Sequence, residues 1–341
     1  GIGSMCDGEA FTFPYDLPND RMYNETCASI GLMMLSQRMA NIEGDSRYAE
    51  VLERALYNNT LAGLALDGTR FFYVNPMAMW PERSARRHDM MQDIVAERQG
   101  WYGCACCPPN VLRTLLSLGQ YIYARRGDAL YVHLYVGSRA RFSVGGHDVT
   151  LIQKGNYPWD GAVSFIVSTD SPAEFALHMR IPDWCQNAGV SLNGSPIQPE
   201  VEKGYAVITR AFSEGDRIDI TLPMEPKFVY CDSRVPYNAG KTALVRGPIV
   251  YCTEQADNGD MLWTLAVDPY RPVETLDKPA VGGGVALRVQ GSRQSLRGQQ
   301  LYTEQLPEQN PQPIIMIPYY AWGNRGKGEM SVWQNVRSCP K

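Results

Sequence analysis

The sequence predicts a multidomain α+β protein, with helices in about its first third and antiparallel β structure in the remainder. Apolar residues recur at helical spacing before residue 125, whereas apolar and polar residues alternate after residue 126, with Gly, Asn and Pro turns between the runs. The chain has 341 residues, 44% of them hydrophobic, which is enough to bury two or three cores. We therefore predict domains at residues 1–125, 126–225 and 226–341.

Three helices are predicted in the first domain. The first covers residues 25–40 and ends near Asn41, because its apolar side chains recur with a helical period up to that point. The second starts after Asp45, a favourable N-cap residue. The third follows Pro108 and Pro109, since proline is tolerated in the first turn of a helix.

The second and third domains are predicted to be antiparallel β-sandwiches. Short alternating runs bounded by turn residues favour strands that bury one face. The predicted strands cover residues 129–136, 163–167, 175–181, 205–209 and 217–222 in the first sandwich, and residues 227–230, 242–245, 249–252 and 314–320 in the second.

Charge and hydropathy exclude two classes of partner. The net charge is −4, and no run of Lys or Arg is long enough to follow a phosphate backbone, so we expect no nucleic acid partner. The apolar stretches are shorter than the roughly 20 residues that cross a bilayer, so we expect no membrane partner. A small neutral or polar substrate suits this composition better.

The nine cysteines indicate a reducing compartment. Their number is odd, and the adjacent residues Cys106 and Cys107 cannot readily form a disulfide with each other. Residues 1–8 have neither the positive region nor the apolar region of a signal peptide. We therefore expect a cytoplasmic protein.

Two short clusters carry side chains that could bind a metal. Residues 25–27 read Glu-Thr-Cys, and residues 104–109 read Cys-Ala-Cys-Cys-Pro-Pro. Zinc takes thiolate and carboxylate ligands in tetrahedral geometry, so one carboxylate and three thiolates would complete its coordination. The spacing is not that of a zinc finger, and burial as free cysteines remains an alternative. The four histidines show no ligand spacing; they are His88, His133, His147 and His178.

Four blocks in order resemble the bacterial β-L-arabinofuranosidases of glycoside hydrolase family 127. They are residues 8–11 (Gly-Glu-Ala-Phe), 16–20 (Asp-Leu-Pro-Asn-Asp), 23–29 (Tyr-Asn-Glu-Thr-Cys-Ala-Ser) and 103–110 (Gly-Cys-Ala-Cys-Cys-Pro-Pro-Asn). The resemblance continues through both predicted sandwiches and thus covers essentially the whole chain. It implies an (α/α)₆ barrel followed by two β-sandwich domains.

The resemblance also implies a catalytic zinc site. By correspondence of motifs, the zinc ligands would be Glu25, Cys27, Cys106 and Cys107. Cys106 would be the nucleophile of a retaining hydrolase that releases L-arabinose, and Glu9 would be its general acid/base. Cys104, in the same motif as two of the ligands, is given no role.

Two further positions resemble substrate-contacting residues of the family. Tyr73 lies in the run Phe-Tyr-Val-Asn at residues 72–75, and Glu53 lies in Leu-Glu-Arg at residues 52–54. The alternatives are a packed aromatic side chain for Tyr73 and a solvated helix carboxylate for Glu53. The expected substrate is an arabinofuranosyl oligosaccharide or glycoconjugate.

The predicted helices supply only part of a barrel, because three helices cannot close a ring of twelve. The resemblance therefore implies that this chain is the C-terminal part of the catalytic barrel and that its partner is the N-terminal portion of the same protein. The second sandwich would be available for a homodimer. Two alternatives stay open: a related glycosidase with another sugar specificity, and a noncatalytic carbohydrate-binding protein with a structural zinc.

Overall fold

The computed structural model describes residues 11–85, 93–279, 281–295 and 301–337, so Glu9 lies outside the described residues. The helices are α1 (Thr26–Glu43), α2 (Ser46–Ala55), α3 (Pro81–Ala85), α4 (Cys107–Leu116), α5 (Gly119–Ile122) and α6 (Gln255–Asn258), with a π-helical turn at Leu56–Thr60 and 3₁₀ turns at Pro236–Asn238, Leu262–Thr264, Val281–Gly283 and Tyr319–Ala321. None of the helices in the described ranges is long and apolar enough to span a membrane.

The strands form three sheets, and the predicted mixed α+β class is confirmed. They are β1 (Ala78–Met79), β2 (Tyr123–Arg126), β3 (Ala129–Val132), β4 (Ser138–Val144), β5 (His147–Gly155), β6 (Ala162–Thr169), β7 (Ala173–Arg180), β8 (Gly189–Leu192), β9 (Ser195–Ile197), β10 (Glu200–Glu202), β11 (Tyr205–Phe212), β12 (Arg217–Thr221), β13 (Pro226–Tyr230), β14 (Lys241–Arg246), β15 (Ile249–Glu254), β16 (Leu265–Val267), β17 (Glu274–Pro279), β18 (Val285–Gln294), β19 (Gln309–Pro318), β20 (Met330–Ser331) and β21 (Gln334–Val336).

The three predicted helices correspond to α1, α2 and α4. Asp45 caps α2 as expected, with extended backbone and a side chain that accepts a hydrogen bond from the Arg47 N–H. The predicted end of α1 at Asn41 is wrong by two residues. The helix continues to Glu43, and Gly44 follows it with φ +64°, a conformation that glycine adopts at no steric cost.

Packing divides the chain into two compact units. Unit 1 contains Gly1–Ser29, Tyr57–Val111 and Pro226–Lys341, and unit 2 contains Ile30–Leu56 and Leu112–Glu225. This grouping reflects spatial contacts rather than sequence domains. The predicted boundaries near residues 125 and 225 stay predictions.

Unit 2 contains two sheets that share one hydrophobic core. One sheet has the order β10-β11-β7-β3-β2 and the other β4-β5-β6-β12-β8-β9. Buried side chains of both sheets meet in this core, among them Phe165, Phe175 and Phe212. The predicted strand at residues 129–136 is too long, since β3 ends at Val132. Beyond it, Tyr135 is buried and donates its hydroxyl hydrogen to the Arg180 carbonyl.

Unit 1 contains a ten-stranded sheet and the segments that carry the cysteine motif. The sheet has the order β1-β20-β15-β19-β18-β16-β21-β14-β13, with β17 paired to β18. The short strand β1 joins this sheet through β20, so a segment from the first third of the chain is hydrogen-bonded to the C-terminal strands. The core of unit 1 includes Phe72, Cys107 and Trp322.

Candidate metal centre

A short antiparallel bridge presents the first ligand segment. Glu25 pairs with Val74, and the Thr26 N–H donates a 3.0 Å hydrogen bond to the Tyr73 carbonyl. Helix α1 begins at Thr26, so Cys27 lies in its first turn. The chain therefore changes from extended to helical between two candidate ligands, which places Glu25 on a bridge and Cys27 on a helix.

The second ligand segment lies at the start of α4. Cys107 is the first residue of this helix, Cys106 precedes it, and prolines occupy the next two positions. Proline suits this turn because the first N–H groups of a helix have no intrahelical partner. The positive end of the helix dipole lies here and favours thiolate over thiol.

The two segments converge on one point. The candidate donor atoms of Glu25, Cys27, Cys106 and Cys107 all lie within 4.8 Å of one another, and we refer to these four residues as the Glu–Cys cluster. Cys107 Sγ is 3.7 Å from Cys27 Sγ and 3.7 Å from Cys106 Sγ, and Cys106 Sγ is 3.5 Å from Glu25 Oε1.

These spacings fit a tetrahedral zinc ion. Zinc–sulfur bonds of about 2.3 Å and zinc–oxygen bonds of about 2.0 Å at tetrahedral angles imply sulfur–sulfur distances of about 3.8 Å and sulfur–oxygen distances of about 3.5 Å. The observed separations agree with both values. A donor set of three sulfurs and one carboxylate also binds zinc in preference to harder cations. The residues present therefore fit the metal that the sequence implies.

Burial disfavours charge on the thiols in the protein alone. It raises the pKa of Cys106 to about 12, with a smaller opposing effect from the Tyr73 hydroxyl. The pKa of Cys107 is raised further by burial and by the neighbouring sulfurs. These thiols would therefore stay protonated at neutral pH unless a cation compensates them.

The Tyr73 hydroxyl lies beside Cys106, the candidate nucleophile. Its oxygen lies 3.5 Å from Cys106 Sγ, and its ring contacts those of Tyr23 and Tyr102 at centroid distances of 6.4 and 5.7 Å. Burial raises the pKa of Tyr73 well above its ordinary value, so the hydroxyl stays protonated. The structure thus brings this predicted substrate-binding residue to the Glu–Cys cluster.

Arg98 fixes the segment that carries Tyr73. Its guanidinium lies 4.3 Å from the centroid of the Phe72 ring, which stacks on Trp322 at 4.4 Å. It also donates hydrogen bonds to the carbonyls of Ala62 and Trp322. Burial lowers the pKa of Arg98 to about 10, which leaves it charged at neutral pH.

Glu53 has a different environment. It belongs to unit 2, where its carboxylate accepts a 2.5 Å ion-pair hydrogen bond from Arg180 and a 2.7 Å hydrogen bond from the Tyr157 hydroxyl. The Glu53 side chain is buried, so the alternative of a solvated helix carboxylate is wrong. Its predicted substrate-binding role stays a prediction.

Sequence reasoning did not assign a role to the polar residues around the first ligand segment. Asn59 donates to the Glu25 carbonyl and to the Ser29 hydroxyl, and Asn75 donates to the Thr26 hydroxyl. All are buried. Two features of the sequence could have indicated these residues: Thr26 lies inside the ligand motif, and Asn75 ends the run that contains Tyr73.

Family models match almost the whole chain. Residues 1–120 match the catalytic domain of β-L-arabinofuranosidases of glycoside hydrolase family 127, residues 129–224 match the middle domain, and residues 226–335 match the C-terminal domain of this family. Together with the fold and the cluster, these matches define a glycoside hydrolase polypeptide. The chain belongs to glycoside hydrolase family 127.

The chain is similar to three relatives whose names state an activity. A non-reducing end β-L-arabinofuranosidase of Bifidobacterium longum subsp. longum is 37% identical over 98% of this chain and 52% of its own length. The crystal structure of a β-L-arabinofuranosidase from Geobacillus stearothermophilus T6 matches with a TM-score of 0.95 and 45% identity, over 99% of this chain and 54% of that one. A further family 127 β-arabinofuranosidase matches with a TM-score of 0.88 and 33% identity, over 99% and 53%. The chain spans about half the length of these relatives.

Proposed function

We propose that this protein hydrolyses β-L-arabinofuranosides with retention of configuration and releases L-arabinose. The observation that carries the proposal is the convergence of one carboxylate and three thiols within 4.8 Å in a family 127 chain. The named activity of the Bifidobacterium relative supports the choice of sugar. The substrate would be an arabinofuranosyl oligosaccharide or glycoconjugate.

The four side chains of the Glu–Cys cluster would hold Zn²⁺. When bound, zinc supplies the positive charge that keeps the buried thiols deprotonated at neutral pH. Glu25 adds one negative charge, and the N-terminus of α4 favours charge on Cys106 and Cys107.

Cys106 is the thiolate that we assign as nucleophile. Its sulfur would attack the anomeric carbon, the sulfur–carbon bond forming as the glycosidic carbon–oxygen bond breaks. The Tyr73 hydroxyl lies within reach of the same sulfur and stays protonated, so it can donate a hydrogen bond that orients the thiolate. Among the described thiols of the cluster, Cys106 is the one with this contact.

Glu9 would move the proton in both half-reactions. In the first it donates a proton to the leaving oxygen, and in the second it takes a proton from the water that attacks the anomeric carbon and releases Cys106. A short apolar run surrounds Glu9 in the sequence, which favours a carboxylic acid that stays protonated near neutral pH. Tyr73 would also contact the sugar, as its position beside the nucleophile allows.

Further polypeptide would complete the catalytic barrel. Leu35 on α1 is 58% exposed, and Leu112 and Leu116 on α4 are 57% and 80% exposed. Because the relatives are about twice as long as this chain, we propose that barrel helices of the N-terminal portion cover these leucines. The two sheets of unit 2 and the large sheet of unit 1 would be the two β-sandwich domains of the family, the second available for a homodimer.

We propose the cytoplasm as the location of the protein. The cysteines in the described parts of the chain are free thiols, which supports a reducing compartment. Free thiols are also what a zinc–thiolate site needs, because the same sulfurs cannot serve as ligands once they are oxidised to a disulfide.

Trapping the covalent intermediate tests the proposed function. A mechanism-based arabinofuranosyl inactivator should label Cys106, and the protein should hydrolyse a chromogenic β-L-arabinofuranoside. Peptide mass spectrometry locates the label. A label on Glu9 or Glu25 would overturn the cysteine mechanism, and saccharide binding without hydrolysis would favour a noncatalytic protein.

A further inference from the structure

Two chain segments meet directly behind the Glu–Cys cluster. Residues 24–26 and 72–75 form a short antiparallel bridge, with backbone hydrogen bonds of 3.0 Å on both sides of it. The first segment carries Glu25 and the second carries Tyr73, and each reaches Cys106 Sγ at 3.5 Å. A slip of one residue between such segments turns their side chains to the opposite face. The register of this bridge therefore decides whether both groups reach the same sulfur.

The side chain of Thr26 locks this register. Its hydroxyl donates a 3.1 Å hydrogen bond to the Phe72 carbonyl and accepts a 3.0 Å hydrogen bond from Asn75 Nδ2. Both Thr26 and Asn75 are completely buried, so water cannot replace either bond. One hydroxyl thus joins the ligand segment to both ends of the segment that carries Tyr73.

Gly63 packs closely against the side chain of Thr26. A Cβ at this glycine would lie 2.5 Å from Thr26 Cγ2 and 2.6 Å from Thr26 Oγ1. The Gly63 carbonyl also accepts a 2.8 Å hydrogen bond from the Phe72 N–H. The threonine side chain is therefore confined between a backbone surface and two hydrogen-bond partners.

We propose that Thr26 is a positioning residue of the metal site. It sets the register that brings Glu25 and Tyr73 to Cys106, and it holds the two ligands on either side of it in place. The inference rests on the proposed zinc site. Hydrogen bonds that orient metal ligands are worth about 10–100-fold in metal affinity or activity, so loss of the hydroxyl should be measurable on the metal itself.

Thr253 provides a matched control within unit 1. It is completely buried, donates a 3.2 Å hydrogen bond to the Ser331 carbonyl and accepts a 3.1 Å hydrogen bond from Gln334 Nε2. This pattern of one carbonyl and one amide is the same as that of Thr26. Thr253→Val therefore carries the same chemical loss, but its bonds do not involve the ligand segments.

The experiment compares Thr26→Val with Thr253→Val in the intact protein. Zinc affinity is measured by competition with a chromophoric chelator, and the thiolate geometry is followed by absorption of the cobalt-substituted protein. Thr26→Val should lower zinc affinity about 10–100-fold and shift the cobalt bands, whereas Thr253→Val should leave both unchanged. Thr26→Ser, which keeps the hydroxyl, should restore affinity close to that of the wild type.

Gly63→Ala tests the same inference without removing the hydroxyl, in case Thr26→Val fails to fold. The added methyl group must displace Thr26, so zinc affinity should fall and the cobalt bands should shift. The inference would be overturned if Thr26→Val kept the zinc affinity and the cobalt spectrum of the wild type. If Thr26→Val does not fold, the same result in Gly63→Ala would overturn it. So would equal effects of Thr26→Val and Thr253→Val. A wild-type protein that binds no zinc would instead contradict the proposed function.

Discussion

Two polar clusters of the described residues differ in chemical composition. In unit 1, the Glu–Cys cluster joins one carboxylate to three thiols. In unit 2, Arg180 donates to Glu50 at 2.7 Å and to Glu53 at 2.5 Å, and we refer to these three residues as the Arg180 cluster. A bound metal ion would stabilise the anionic form of the first cluster, whereas the second contains a cationic side chain.

This difference separates a candidate functional site from a structural one. Buried charge is costly unless it is paired, and the donor atoms of the Glu–Cys cluster lie close enough together to share one metal ion. Arg180 also donates a 2.7 Å hydrogen bond to the His133 carbonyl, and its two carboxylate partners raise its pKa well above the ordinary value despite burial. Arg180 thus supplies a cation within the cluster, and we expect its loss to affect stability before it affects metal binding.

The largest effect is expected for Cys106→Ala. Removal of the nucleophile should lower kcat/KM on a chromogenic β-L-arabinofuranoside by about 10⁴-fold or more. Cys104→Ser is the matched control, because Cys104 is an exposed cysteine of the same motif and should be dispensable. Steady-state kinetics of both variants checks the prediction, and nearly full activity in Cys106→Ala would exclude this sulfur as nucleophile.

Glu9→Gln should reduce activity while leaving the metal bound. Loss of the acid/base should slow hydrolysis of natural substrates by about 10²–10⁴-fold, since their alkoxide leaving groups need a proton. With substrates that have good leaving groups, the covalent glycosyl enzyme should accumulate in this variant. Added azide should then restore turnover by attacking the anomeric carbon in place of water. Loss of zinc, or equal loss for good and poor leaving groups with no trapped intermediate, would contradict the assignment.

Arg180→Met should destabilise the protein by about 3–5 kcal/mol, because it leaves the buried Glu53 carboxylate and the largely buried Glu50 carboxylate without their cation. The free energy of unfolding in urea measures this loss, and zinc content should stay at the wild-type value. Arg234→Met is the control: its ion pair with Asp232 is exposed, and such pairs contribute about 0–1 kcal/mol. Equal destabilisation by the two variants would show that the buried ion pairs of Arg180 contribute no more to the free energy of unfolding than an exposed pair does.

A smaller effect concerns the pH dependence of stability. Burial raises the pKa of Glu50 to about 7, against the opposing effect of Arg180, so the folded state holds a proton that the unfolded state has released above about pH 4.5. The resulting stability is present at low pH and is lost as the pH rises through about 7. Wild type should therefore lose on the order of 2 kcal/mol more than Glu50→Gln between pH 5 and 8. Parallel pH profiles in urea unfolding would refute the raised pKa.

Local signals could be predicted from the sequence because they act within a few residues. The Asp45 cap of α2 depends on its own side chain and the N–H group of Arg47, and its prediction is confirmed. Alternation located nine of the strands, whereas the others went unrecognised, among them the long strand β18 and the strands β4 and β5, which are joined at Gly145 and Gly146 with positive φ. In β4 the alternation is between exposed and half-buried side chains, so its hydrophobic pattern is weak.

Long-range pairing could not be read from local patterns. The buried Glu53 carboxylate accepts a hydrogen bond from Arg180, which lies 127 positions further along the chain. Nothing in the helical pattern of α2 indicates that partner. The Glu–Cys cluster likewise joins residues 81 positions apart, as between Glu25 and Cys106. Donor chemistry alone left free cysteines as an alternative, and the family resemblance supplied the ligand set whose geometry the structure describes.

Zinc content tests the contrast between the two clusters most directly. We predict one zinc per chain in the intact wild type and in Arg180→Met, and a strong loss in Cys27→Ala, measured by inductively coupled plasma mass spectrometry on protein purified without added metal. Cys231→Ala, which changes a cysteine outside the Glu–Cys cluster, should keep its zinc. Equal zinc in wild type and Cys27→Ala, or no zinc in any of these proteins, would contradict the account.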